Sequence, residues 1–134
     1  MIDIAENDLE ITPKSIVLKS ARDFTQKLTE TPQYVEFIKA HIEFRGDTEA
    51  QQIQQNYQKK QAALRAVLML NAASEEERLE LLVLQEQFNK RPSVIRYINA
   101  QSDFIVVCQE IGDLLSKELG IDFAAACKTG GCCG

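Results

Sequence analysis

The chain has 134 residues, 45% hydrophobic and 26% charged, and its 20 acidic against 15 basic side chains give a formal net charge of -5. That length admits one domain with its own core and excludes two ordinary ones. No run reaches the ~18–20 apolar residues of a membrane span, and an acidic surplus without a dense Lys/Arg stripe argues against direct nucleic-acid binding.

Residues 1–6 are acidic and lack the basic and apolar regions of a signal peptide, so a cytoplasmic protein is expected. Strand signals are almost absent, with neither sustained period-two alternation nor an Asn-Gly or Asp-Gly turn. Helix signals are dense. Thr12-Pro13 predicts an N-cap followed by proline at the first helical position, and Val17, Ala21, Phe24 and Leu28 then form one apolar stripe. Thr31-Pro32 repeats that start. The second helix carries Tyr34, Val35, Ile38 and Ile42 on its apolar face, widened by Phe37 and Phe44. Gly46 ends it, and Asp47 is placed to cap the next.

A third helix is predicted over residues 48–70, roughly 35 Å long. It sets Ile53, Tyr57, Leu64, Val67 and Leu68 on one side and mostly Gln, Asn and Lys on the other. Ser74-x-x-Glu77 is a capping box that opens a fourth helix. There Leu79, Leu82 and Val83 face one way and Leu81, Leu84 and Phe88 nearly the opposite way, so both sides need cover. One cover is available from the same chain and the other from a second subunit. Arg91-Pro92 starts a last helix, ending at Leu119 with Gly120 as its stop. Val94, Ile98, Ile105, Cys108, Leu115 and Leu119 follow a near-heptad register on it, flanked by Phe104 and Ile111. The fold class expected is all-α, an antiparallel bundle of about five helices over residues 1–120, with a Gly/Cys-rich tail over 121–134. A short echo relates residues 32–40 to 92–100, with Pro, an aromatic, Ile and Ala at matching offsets; chance likeness of two Pro-started helices explains it equally well.

Signals for catalysis are missing. The single histidine, His41, falls within the aromatic face of the second helix and reads as a packed side chain. There is no Gly-rich phosphate loop and no nucleophile elbow. The run Glu75-Glu76-Glu77 lies in a first helical turn, where the helix dipole favours negative charge. The tail differs: of four cysteines, Cys127, Cys132 and Cys133 crowd into its end, with Gly130 and Gly131 between them to let the chain fold back. In a reducing compartment such a cluster points to metal ligation by soft thiolates, zinc or an iron–sulfur cluster; the competing reading is a loose end with redox-labile thiols. Three thiolates leave one position of a four-ligand site open, for another subunit, a partner or a small molecule. Cys108, mid-helix on the apolar face, reads as a small buried hydrophobe instead.

Several segments share an order and spacing. They are Ala21-Arg22-Asp23-Phe24, Thr31-Pro32-x-Tyr34, Gly46-Asp47-Thr48-Glu49-Ala50-Gln51, and Arg91-Pro92-x-Val94-x-x-Tyr97, followed by a Gly/Cys-rich end. In that arrangement the chain resembles the YlbF/YmcA family of small helical bacterial regulators, from about Ser20 to the tail. The resemblance implies an all-α, non-enzymatic regulator that assembles with itself or with related chains. It also implies that such chains join a third protein in a complex ligating iron–sulfur clusters, [4Fe–4S] among them, through C-terminal cysteines. By position those cysteines are Cys127, Cys132 and Cys133. That complex acts on RNase Y, and through it on mRNA processing, competence, sporulation and biofilm formation. Two alternatives from other classes stay open: a zinc- or thiol-based redox module, and a purely structural oligomeric bundle.

Overall fold

The computed structural model describes residues 13–129. Among these described residues six helices follow one another: α1 (Lys14–Thr29), α2 (Pro32–Gly46), α3 (Thr48–Met69), α4 (Glu75–Asn89), α5 (Pro92–Leu119) and α6 (Phe123–Thr129). Among the described residues there is no strand, and no helix is long and apolar enough to cross a membrane.

The punctuation is local chemistry. The Thr31 hydroxyl accepts the Tyr34 N–H, with Pro32 at the first position of α2. Asp47 accepts the Ala50 N–H at the head of α3, and Ser74 and Glu77 form the full capping box of α4. Each satisfies an amide that the first helical turn leaves without a partner. Gly120 stops α5 in the left-handed region at φ 70, where a side chain costs energy and glycine does not. The start of α1 differs from expectation. Pro13 itself occupies the capping position, with an extended ψ of 144, and the helix begins at Lys14; Thr12 lies outside the described residues.

The helices pair as two antiparallel layers. α2 packs along α5 and α3 along α4, while contacts from α2 to α3 and from α4 to α5 are few. Tyr34 meets Phe104, Phe37 meets Phe104 and Tyr97, and Phe44 meets Tyr97, so sequence numbers run in opposite directions along the α2–α5 pair. In that register Ala40 stands level with Ala100, and both are buried. Arg96 of α5 reaches Glu36 at 2.8 Å and also bonds Glu43, both on α2. Lys60 and Glu80 pair across α3 and α4. Helices α2 to α5 thus form a long hairpin, broken once in each limb, with the two breaks facing one another.

At the breaks lies the core. Phe44, Ala50 and Val94 are buried together, with Phe88 and Tyr97 packed around them, so α2, α3, α4 and α5 all contribute. The Phe44 ring stacks on Tyr97 at 5.2 Å and meets Phe88 edge-on at 6.0 Å, both favourable aromatic geometries.

Two expected faces turn out differently. On α2 the aromatic edge of Phe37, His41 and Phe44 points inward, and Val35 and Ile42 are exposed. The flat rings of α5 reward burial of the larger aromatic area, so the helix is rotated away from the aliphatic side. On α5 the inward stripe runs through Val94, Tyr97, Ala100, Phe104 and Ile111, and Ile98, Ile105, Leu115 and Leu119 remain exposed. On α3 all five expected residues are half-buried, and α4 covers Leu81, Leu84 and Phe88 while leaving Leu79, Leu82 and Val83 exposed.

Candidate functional site

Two features of the described chain bear on function: the cysteine end and the apolar helix faces that nothing covers. The first begins at Gly120, whose left-handed backbone redirects the chain, so that α6 packs against α5. The Ser116 hydroxyl accepts the Phe123 N–H at 3.0 Å, and Asp122 caps the new helix by accepting the Ala125 N–H at 3.1 Å. The tail is therefore not irregular from its start: residues 123–129 form a sixth helix beyond the five expected. Cys127 sits on it, half-buried. Cys132 and Cys133 lie outside the described residues, and among the described residues no group of three or more His, Cys, Asp or Glu side chains is gathered as a metal site.

Cys108 is exposed on α5, contrary to the reading of a buried hydrophobe. The cause is the rotation of α5, whose C-terminal half extends past the start of α2 and has little of its own chain over that side. Burial therefore no longer argues against Cys108 as a ligand.

The second feature is extensive. No residue of α1 is buried, and Val17 and the half-exposed Phe24 (50%) present its stripe outward. On α5, Ile105, Leu115 and Leu119 continue such a surface toward Ile121 and Phe123. At the hairpin tip Met69 and Leu70 are almost fully exposed. Scattered exposed apolar side chains are ordinary, whereas large contiguous apolar patches mark interaction surfaces.

Charged groups are organised for structure. Arg91 clasps Asp47 through Nη2 at 2.8 Å and Nε at 3.2 Å and reaches Glu49 at 2.7 Å, while the Ser93 hydroxyl donates to Asp47 at 2.6 Å. The Ser93 hydroxyl, the Ala50 N–H and the Arg91 guanidinium together hold the Asp47 carboxyl down to about 2, against partial burial acting the other way. Asp47 in turn holds the Arg91 guanidinium above its ordinary value, as Glu36 does for Arg96. This clasp locks the two helix breaks together. Sequence reading placed Asp47 only as a cap. The missing signal was that residues 47 and 91 flank the tip near residue 70 at similar distances and carry opposite charge.

His41 is packed as expected, with ring centroids 6.3 Å from Phe37 and 5.5 Å from Tyr97, and its buried Nδ1 has no hydrogen-bond partner. Grooves beside α3 and α4 are open troughs lined by Gln, Leu and a few charged residues, and they assemble no nucleophile with a base.

No curated protein and no solved structure matches the chain. A family model described as control of the competence regulator ComK, YlbF/YmcA, matches residues 17–120. That span runs from the stripe of α1 to the glycine that ends α5, and so takes in the clasped breaks, the four-helix core and the uncovered faces. The chain belongs to the YlbF/YmcA family of regulators.

Proposed function

We propose that this chain is a non-enzymatic adaptor subunit that assembles with copies of itself or with related family chains. In this reading its cysteine end helps hold an iron–sulfur cluster shared between chains, and the assembly tunes RNase Y-dependent mRNA processing. The observation that carries the assembly half is the uncovered apolar stripe on both α1 and the C-terminal half of α5. Cluster binding is supported by donor chemistry: Cys127, Cys132 and Cys133 are soft thiolates of the kind that ligate iron–sulfur centres and zinc. Three such ligands are one short of the usual four, which suits a cluster completed by a neighbouring chain. The turn at Gly120 sets α6, which carries Cys127, against α5. A cluster in that position would act as a clip that opens on oxidation. The link to RNase Y follows the family resemblance.

The test is metal and acid-labile sulfide analysis of protein purified without oxygen, with the Cys132→Ser/Cys133→Ser variant beside it. Iron with sulfide in the parent, lost in the variant at unchanged helical content, is the expected result. Zinc alone would replace the cluster by a structural or delivery site. Metal content equal in parent and variant would overturn the ligand assignment.

A further inference from the structure

We infer that two copies of this chain exchange α1 reciprocally, each laying its α1 stripe on the C-terminal half of α5 in the other. The inference rests on the reading that the chain assembles with itself, and it names the surface by which it does so.

Helix α1 has 16 residues, none buried, and its contacts within the chain are few and made to α2. A helix of that length is marginal in water on its own, because nucleation is costly and packing supplies most helical stability. Its Val17, Ala21, Phe24 and Leu28 stripe therefore calls for a counterpart. The antiparallel register that sets Tyr34 against Phe104 would, if continued, bring α1 onto residues 108–119 of the same chain. The chain bends away at Glu30 and Thr31 instead, and α5 packs on α2, α4 and α6 but not on α1 to any comparable extent. The surface that α1 would have covered, with Leu115 and Leu119 on it, is left exposed. Two incomplete halves of one packing arrangement in one chain are what reciprocal exchange completes, with the same patch used twice about a two-fold axis.

Charge supports this occupant. α1 carries Lys14, Lys19, Arg22 and Lys27 against Asp23 alone. Residues 103–122 carry Asp103, Glu110, Asp113, Glu118 and Asp122 against Lys117 alone. Opposite fields of this kind steer encounter and favour one pairing over another. Two copies of α1, or two copies of the α5 end, would repel.

Area supports it too. The chain exposes 10730 Å², whereas a compact monomer of its mass exposes about 7,100 Å². Granting the seventeen residues outside 13–129 the surface of a fully unfolded chain, about 160 Å² each, still leaves an excess of about 1,600 Å² over a compact body. A standard stable interface takes about 800 Å² from each partner.

The experiment uses the full chain and three single variants: Phe24→Glu on α1, Leu115→Glu on α5, and Ile42→Glu on the outer side of α2, all at exposed positions. Sedimentation equilibrium reads the association constant. The expected result is at least a tenfold loss for Phe24→Glu and for Leu115→Glu, with Ile42→Glu within about twofold of the parent. In parallel, Phe24→Cys chain is mixed with Leu115→Cys chain and oxidised, and the peptides are mapped; a bond between residues 24 and 115 of different chains is expected. An oligomer that survives Phe24→Glu and yields no such bond overturns the exchange while leaving self-assembly standing. A parent chain that is monomeric at every concentration overturns self-assembly itself.

Discussion

Replacing Phe44 by alanine tests whether the molecule is held at its two breaks. The ring is only 9% exposed and contacts residues from three other helices through Tyr97, Phe88, Val94 and Ala50. A buried Phe→Ala change costs about 3–5 kcal/mol, from lost burial and the cavity left behind, and two aromatic pairs go with it. Few buried neighbours are available to collapse into the space, so about 4 kcal/mol is the working value. For a chain of this size that corresponds to a fall in melting temperature of about 10–15 °C. The assay is thermal unfolding followed by far-ultraviolet circular dichroism at one fixed chain concentration, because any association would make the midpoint concentration-dependent. Ile42→Ala, on the same helix but 65% exposed, is the control and should stay within about 0.5 kcal/mol. A shift for Phe44→Ala below about 4 °C, or equal to that of Ile42→Ala, would refute the claim that the four helices are anchored there.

The Asp47 carboxyl is lower in the folded chain, at about 2, than its ordinary 3.8. Its contribution is therefore complete above about pH 4 and is lost as pH falls through 3.8 toward 2; the wild-type urea midpoint should drop across that window, and that of Asp47→Asn should drop less. Ser93→Ala removes the largest support for the ionised form, so a carboxylate titration by NMR should show Asp47 moving back up toward 3.8. Gly120→Ala forces a side chain into φ 70, which costs roughly 1–2 kcal/mol, and amide exchange should quicken at residues 121–126 while the α2–α5 layer stays protected.

Residues that act within one helical turn were legible without the structure. Thr31, Asp47, Ser74, Glu77 and Gly120 sit where their short-range chemistry requires, because a cap is decided by a side chain and an amide three positions away. Choices between faces were not legible. On α2 both the aliphatic edge with Val35 and Ile42 and the aromatic edge with Phe37 and Phe44 satisfy helical spacing, and only the rings waiting on α5 decide between them. The same ambiguity misplaced Cys108. The Asp47–Arg91 clasp joins residues 44 apart, a separation at which no periodicity speaks. At the cysteine end, the short helix seating Cys127 was not legible. Its Phe123-Ala124-Ala125-Ala126 run gives weak amphipathic signal, and it is held by Ser116 and Asp122.

Native mass spectrometry tests the proposal that this chain works by assembling and shares a metal cluster between chains. The protein would be purified without oxygen and supplied with iron and sulfide. A species of two or more chains whose extra mass matches iron and sulfide is expected, and that extra mass should disappear in the Cys132→Ser/Cys133→Ser variant. A single chain without metal at every concentration would contradict the claim outright, and an oligomer that never carries a cluster would contradict the sharing.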